Sequence, residues 1–220
     1  MKKLVIVGAS GHGKVIADIA VKNGYEEIAF LDDNDNLQEC GGYPVIGKSH
    51  DAVNMKSDII IGIGNPHVRK QLQESLDSAY IVTLIHPDAV VAADVQIGKG
   101  TVIMAGAVIN PGTIIGDGCI INTCSSVDHD CQVGNYVHIA VGSHLCGTVT
   151  VYEETWIGAG ATIINNIVVC HRCMIGAGAV VVDNIEDPGT YIGVPAKKEG
   201  LFKVEERASI LNKVVKELIE

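Results

Sequence analysis

The chain has 220 residues, 47% of them hydrophobic but only 4% aromatic, and a formal net charge of −10 at pH 7. With 16 basic residues against 26 acidic ones and a pI near 5.2, binding along a nucleic-acid backbone is excluded as a main function, because that affinity draws on Lys and Arg. The branched aliphatic content (66 Ile, Val and Leu) excludes a disordered chain, and no apolar run reaches the ~20 residues that span a bilayer.

The N-terminal region alternates strand and helix signals. Leu4 to Val7 reads as a buried strand, too short for the apolar segment of a secretory signal. Gly8-Ala9-Ser10-Gly11-His12-Gly13 follows, then a helical pattern through Val15, Ile16, Ile19 and Ala20. Further strands are expected at Ile28 to Leu31, which runs into Asp32-Asp33, at Ile59 to Ile63, and at Tyr80 to Ile85. This is the pattern of a small parallel sheet, half of a Rossmann-like α/β fold. The interval from Gly11 to Asp32 matches the glycine-loop-to-acid spacing of nucleotide-binding units. Ser10 stands where the middle glycine of that fingerprint belongs, so the loop alone reads equally as a structural turn.

From Ile85 the chain changes character. Every sixth residue from Ile85 through Val91, Ile97 and Ile103 to Val181 is Ile, Val or Leu, seventeen positions without a break. The residue four further on is usually small, as at Ala107, Cys119, Ser125, Cys131, Ser143, Ala161 and Cys173. A period of six fits neither a helix nor a simple strand. It fits a hexapeptide repeat, in which three short strands make one 18-residue triangular coil and coils stack as a left-handed parallel β-helix. Its interior is too narrow for rings, which accounts for the missing aromatics; Tyr136 and Trp156 fall in outward slots. The expected division is 1–84 as the α/β domain, 85–198 as the β-helix, and 199–220 as an amphipathic C-terminal helix with apolar steps at Leu201, Val204, Ala208, Leu211, Val215 and Leu218. That helix either packs on its own domain or joins a three-stranded bundle.

Seven cysteines are present, and the one C-x-x-C, Cys170 to Cys173, has no second pair to complete a zinc knuckle. They read as reduced core residues of a cytoplasmic protein. One polar intrusion breaks the repeat: Asp128-His129-Asp130, near a corner of a coil. A histidine beside a carboxylate is a standard general base near neutral pH, since the acid orients one nitrogen and stabilises the charged form. His138 follows half a coil later, and Gly147 lies one full coil below His129.

These motifs resemble the bacterial hexapeptide-repeat sugar acetyltransferases with an N-terminal nucleotide-sugar-binding domain, the group of bacillosamine and perosamine N-acetyltransferases and sialic acid O-acetyltransferases. The resemblance rests on GASGHG at 8–13, FLDD at 30–33, IGIGN at 61–65, LIHPDA at 84–89, INTCSSVDHDC at 121–131, VHIAVGSHLCGTV at 137–149 and GVPAK at 193–197. It implies acetyl transfer from acetyl-CoA to a sugar, foremost the 4-amine of a nucleotide-activated amino sugar, with O-acetylation of a sialic-acid-type hydroxyl as the alternative. By the same resemblance His129 is the base and Asp130, where relatives often carry Glu, orients it. His138, Gly147, Gly160 and Lys197 contact acetyl-CoA, and Asn122 lines the acceptor site. Gly11, His12, Asp32 and Asp33 hold the nucleotide-sugar. The family resemblance also implies a homotrimer with sites between neighbouring β-helices, and flat prism faces suit threefold packing.

Two rivals are weighed against this. An acyl-cysteine route through Cys131 is disfavoured by its inward slot, which would desolvate the thiolate; Cys124 is less clearly placed. Zinc hydratases share the fold and bind zinc through histidines, but His138 and His144 are one hexapeptide apart and so fall on different faces of the triangle. No metal is expected.

Overall fold

The computed structural model describes residues 1–199. The C-terminal amphipathic helix expected at 199–220 therefore lies almost wholly outside the described residues. The N-terminal part is a sheet of β1 (Lys3–Val7), β2 (Glu27–Leu31), β3 (Glu39–Cys40), β4 (Tyr43–Gly47) and β5 (Asp58–Ile61), in the order β3-β4-β2-β1-β5. Strands β1, β2, β4 and β5 run parallel, and β3 adds an antiparallel hairpin edge. Helix α1 (Gly11–Lys22) starts on Ser10, whose hydroxyl accepts the Gly13 N–H, and buries Ile16, Ala17, Ile19 and Ala20. Helix α2 (Pro66–Glu74) is capped by the Asn65 side chain.

The expected strand at Tyr80 to Ile85 does not form. Only Ile81 bridges to Ile59, while Leu84–Ile85 pairs with Val102–Ile103 and begins the next architecture. An apolar run signals a buried strand but not which sheet it joins, and here the prism captures its last two residues.

From Leu84–Ile85 to Val180–Val181, two-residue strands recur every six residues and pair in parallel at a spacing of 18. They form three sheets, the faces of a triangular prism. Face a carries the strands at Leu84, Val102, Ile120, His138, Trp156 and Met174; face b those at Val90, Val108, Ser126, His144, Thr162 and Val180; face c those at Gln96, Ile114, Gln132, Thr150 and Val168. The second residue of each strand points inward. From Ile103 onward these positions are all but solvent-free and form one aliphatic cluster with Ala107, Cys119, Cys131, Val137, Val149, Ala161 and Cys173, each buried Ile or Val contributing about 1.5–3 kcal/mol. Buried hydroxyls in the small slot return their donors to turn carbonyls: Thr101 to Gly116, Thr113 to Asp128, and Thr155 to Cys170. The 18-residue register lapses only at the exit, where Met174 pairs with Thr190.

Face a is roofed by α1. Leu84, Val102 and Ile120 share a core with Leu4, Ile6, Ile16, Ile19 and Phe30, and the Asn23 amide donates to the Ile85 carbonyl at 3.0 Å. Among the described residues no helix is long and apolar enough to cross a membrane.

Candidate active site

Asp128, His129 and Asp130 occupy the corner between faces b and c. Asp130 takes a left-handed conformation (φ 58°) at the position where Gly112 (φ 75°) stands one coil earlier, a region Asp tolerates better than most residues. That turn folds its carboxylate onto its neighbour, and His129 Nδ1 lies 2.8 Å from Asp130 Oδ2. The hydrogen bond to Asp130, and next the charge of Asp128, raise the His129 pKa above its ordinary value. Asp128 does not touch the ring. Its Oδ1 accepts the Asn110 amide at 2.7 Å and the His129 backbone N–H at 2.8 Å, and the Asn110 bond foremost holds its carboxyl below the usual range. With Nδ1 engaged, the Nε2 edge of His129 lies over Gly147, where a Cβ would stand only 2.6 Å from the ring.

His138 occupies a different part of the molecule. Nine residues is half of an 18-residue coil, so face a lies opposite the b/c corner, with the aliphatic core between His138 and His129. His138 is 6% exposed, and its ring centroid is 4.2 Å from that of Trp156 and 6.5 Å from that of His12. Asn122 Oδ1 accepts the Thr123 N–H at 2.8 Å, which turns the amide NH2 toward His138 Nε2 at 3.1 Å. Nε2 is then an acceptor, and Nδ1 carries the proton. Neither His138 Nδ1 nor His12 Nε2, both buried, has a partner among the described residues. Burial first, and the Arg69 guanidinium second, push His12 down to about 4; the same causes, with His12 added, push His138 down to about 3. Both imidazoles are neutral at pH 7.

In the glycine loop, Gly13 is required by contact: a Cβ there would lie 2.3 Å from the Gly8 carbonyl oxygen and 2.9 Å from Phe30. Gly11 borders open space. Asp32 accepts the Ala9 N–H at 2.8 Å and the Asn34 N–H at 2.9 Å, which ties the loop to the end of β2. Asp33 is exposed and accepts the Ser49 N–H at 3.0 Å. Gly160 is exposed at the a/b corner, and Lys197 Nζ lies 3.9 Å from Asp183 on the same b/c corner as His129, three coils further along. The sequence-derived residues thus divide into His129, Asp130 and Gly147 with Lys197 on one side, and His12, Asn122 and His138 on the other.

Several residues went unread in the sequence. Tyr136 occupies an outward slot, outside the prism's aliphatic cluster, but is covered by α2 and so buried, and its carbonyl accepts Arg69 Nη2 at 2.8 Å. Arg69 itself gave no signal, since Pro66 to Glu74 is polar on nearly every side. Trp156 had one: it is the only Trp and sits in an outward slot of a prism otherwise poor in rings. Cys131 is buried, which pushes its thiol up, whereas Cys124 is exposed. His129, His138 and His144 lie at the b/c corner, on face a and on face b, so no two of them converge on one point of the chain.

Residues 3–76 match the PglD N-terminal domain, and residues 82–111 match the bacterial transferase hexapeptide repeat. The UDP-N-acetylbacillosamine N-acetyltransferase of Bacillus subtilis is 40% identical over 112 residues, which is 47% of this chain and 52% of that relative, about half its length. The acetyltransferase domain of PglB from Neisseria gonorrhoeae, also solved with acetyl coenzyme A, superposes with a TM-score of 0.86 at 42% identity, over 90% of this chain and 100% of that one. PerB from Caulobacter crescentus, solved with CoA and GDP-perosamine, does so with a TM-score of 0.84 at 35% identity, over 91% of this chain and 98% of that one. With 42% identity across the whole of a solved acetyltransferase domain, and with the PglD N-terminal domain and the hexapeptide repeat matched one after the other, the chain belongs to the hexapeptide-repeat sugar acetyltransferases that carry a PglD-type N-terminal domain.

Proposed function

We propose that this acetyltransferase moves the acetyl group of acetyl-CoA onto the 4-amine of a nucleotide-activated amino sugar, with His129 as general base. The observation that carries the reading is the His129–Asp130 pair at 2.8 Å, with its Nε2 edge free above Gly147. The names of the relatives, acting on bacillosamine and perosamine nucleotides, supply the acceptor class.

In the reaction the amine nitrogen attacks the thioester carbonyl while His129 Nε2 takes its proton, and Asp130 stabilises the imidazolium that results. The oxyanion forms beside the backbone N–H of Gly147. Collapse breaks the C–S bond, and the departing CoA sulfur recovers the proton from His129. A ternary complex suffices, and no covalent enzyme intermediate is formed. Asp183 and Lys197 lie three coils from His129, roughly 14 Å at one strand spacing per coil, which suits an extended pantetheine arm leading to phosphates at Lys197. Gly160, at the a/b corner, lies on a different edge of the prism and meets that arm only from the neighbouring subunit.

His12 and Asn122 belong to the acceptor side, and His138, which the family resemblance places against acetyl-CoA, is reassigned to that side because it packs with them on face a. The reassignment is supported by two neutral imidazoles whose buried nitrogens lack protein partners among the described residues. Because they stand across the prism from His129, the site is formed between subunits of a homotrimer. Gly11, Asp32 and Asp33 then hold the nucleotide at the end of the parallel sheet.

The decisive assay is CoA release from acetyl-CoA over a panel of UDP- and GDP-4-amino-sugars and free sialic acids. Release with a nucleotide 4-amino-sugar is expected; none from any member defeats the reading. The shared site is tested by co-assembling His129→Ala and His138→Ala chains in equal amounts. Sites drawn from two subunits recover about a quarter of wild-type activity, since one interface in four pairs two intact residues. Sites within one chain recover none.

A further inference from the structure

Arg69 is 0% exposed and faces no carboxylate among the described residues. Its guanidinium donates only to carbonyls: Nε to Gly118 at 2.6 Å, Nη2 to Tyr136 at 2.8 Å, and Nη1 to Ile63 at 2.8 Å and Gly64 at 2.9 Å. Two of those carbonyls belong to prism corners and two to the loop after β5. The side chain therefore pins that loop against the β-helix. Pinning alone needs no charge, and burying an unpaired cation costs several kcal/mol in general. The charge itself calls for an explanation.

The loop carbonyls belong to the Ile63–Gly64 and Gly64–Asn65 peptides. In a trans peptide the N–H points opposite to the C=O, so the amides of Gly64 and Asn65 are directed away from the guanidinium and polarised by it. Neither N–H has an acceptor among the described residues. Both stand at the C-terminal end of β5, beside the glycine loop of β1, where a Cβ on Gly8 would meet Ile63 at 2.8 Å. In the order β2-β1-β5 this is the point at which the strand order reverses, the crevice in which open α/β sheets hold phosphorylated ligands. On its prism side Gly64 lies within 3.8 Å of the Trp156 ring at its would-be Cβ, and Trp156 packs at a tilt of 42° against His138, whose buried Nδ1–H also lacks an acceptor among the described residues. That orphan donor is an independent sign that a polar ligand reaches this junction.

We propose that Arg69 is a positioning residue for the acceptor: it orients and polarises the Ile63–Gly64 and Gly64–Asn65 peptides so that their N–H groups bind the diphosphate of the nucleotide sugar. The inference rests on the acceptor class argued above and adds the residue that supplies its countercharge. Arg69 reaches the anion only through these two peptides, and its uncompensated charge is balanced when the diphosphate binds.

The test uses the full chain with Arg69→Met, which keeps the length and removes the charge, and Arg69→Lys, which keeps the charge. Arg69→Met is expected to raise KM for the nucleotide 4-amino-sugar, and Kd for the free nucleoside diphosphate, by about ten-fold or more, with KM for acetyl-CoA unchanged within about two-fold; Arg69→Lys recovers part of the loss. A purely structural staple predicts a lower Tm with no selective loss toward the nucleotide, and that result overturns the proposal. Should Arg69→Met fail to fold, amide spectra of the wild-type protein decide: titration with a nucleoside diphosphate shifts the Gly64 and Asn65 N–H signals downfield, and unmoved signals refute it. If the wild-type protein binds no nucleoside diphosphate, the acceptor reading falls as well. Undiminished diphosphate binding by Arg69→Met removes only the role of Arg69.

Discussion

Gly147 lies directly beneath His129, so close that a methyl group on its Cα would stand 2.6 Å from the imidazole Nε2 and Cε1. Its backbone is not in the left-handed region, so alanine fits the chain there without strain. The three atoms nearest such a methyl group all belong to the ring. Gly147→Ala should therefore turn His129 off its axis while leaving the prism intact. The expected result is a fall in kcat/KM of about 10²-fold or more with a nearly unchanged Tm, since His129→Ala as loss of the base costs about 10²–10⁴-fold. Retained activity in Gly147→Ala would show that the ring needs no support at this edge.

Asp130 gives that ring a pH signature. The hydrogen bond from His129 Nδ1 favours the charged imidazole and raises its pKa. A base works in its neutral form, so kcat/KM rises with pH through this value. Asp130→Asn removes the charge and should shift the acid limb of the profile to lower pH, with a lower plateau as well. An acid limb that stays in place dissociates Asp130 from the titration of His129.

The prism was legible because its period is a property of single residues: an inward Ile, Val or Leu every six positions, whatever the neighbours. The D-H-D corner was legible for the same reason, as a polar break in that period. The junction was not. Arg69, Tyr136 and the loop at Ile63 and Gly64 meet through carbonyls, which carry no side-chain pattern, and Tyr80 to Ile85 has the composition of a strand without stating its partner. The separation of His129 from His138 was present in the sequence as a spacing of nine, half of eighteen, but its consequence for the site needed the position of α1 over face a.

The junction also sets the response to acid. His12 and His138 are neutral when folded, with pKa values near 4 and near 3, against 6.5 when exposed. Between pH 6.5 and these values the unfolded chain binds protons that the folded chain refuses, so stability falls as the pH drops through that window. The wild-type Tm should decline from pH 6.5 toward pH 4, and the decline should be shallower in a His12→Gln, His138→Asn protein. Parallel Tm profiles for the two proteins would assign the acid sensitivity to other groups.

Glu154 tests the docking of α2 itself. Its side chain is 3% exposed, and it meets Lys70 at 3.0 Å, Arg172 at 3.3 Å and His67 at 3.5 Å, joining the helix to the prism corner. Burial alone would raise its carboxyl, but the hydrogen bonds from Lys70 and Arg172 outweigh that and hold it below the usual range. Breaking a fully buried pair costs about 3–5 kcal/mol, but Lys70 and Arg172 reach solvent and can rehydrate, so Glu154→Gln should cost about 1–2 kcal/mol. That corresponds to a Tm lower by roughly 2–8 °C at pH 7 for a chain of this size. A depressed carboxyl contributes its stability above its unfolded value and loses it as the pH falls through the folded one. The gap between wild type and Glu154→Gln should therefore narrow below pH 4.5, the ordinary value of this group. A gap of constant size across pH would mean that glutamine disturbs the packing of Glu154 and not its charge.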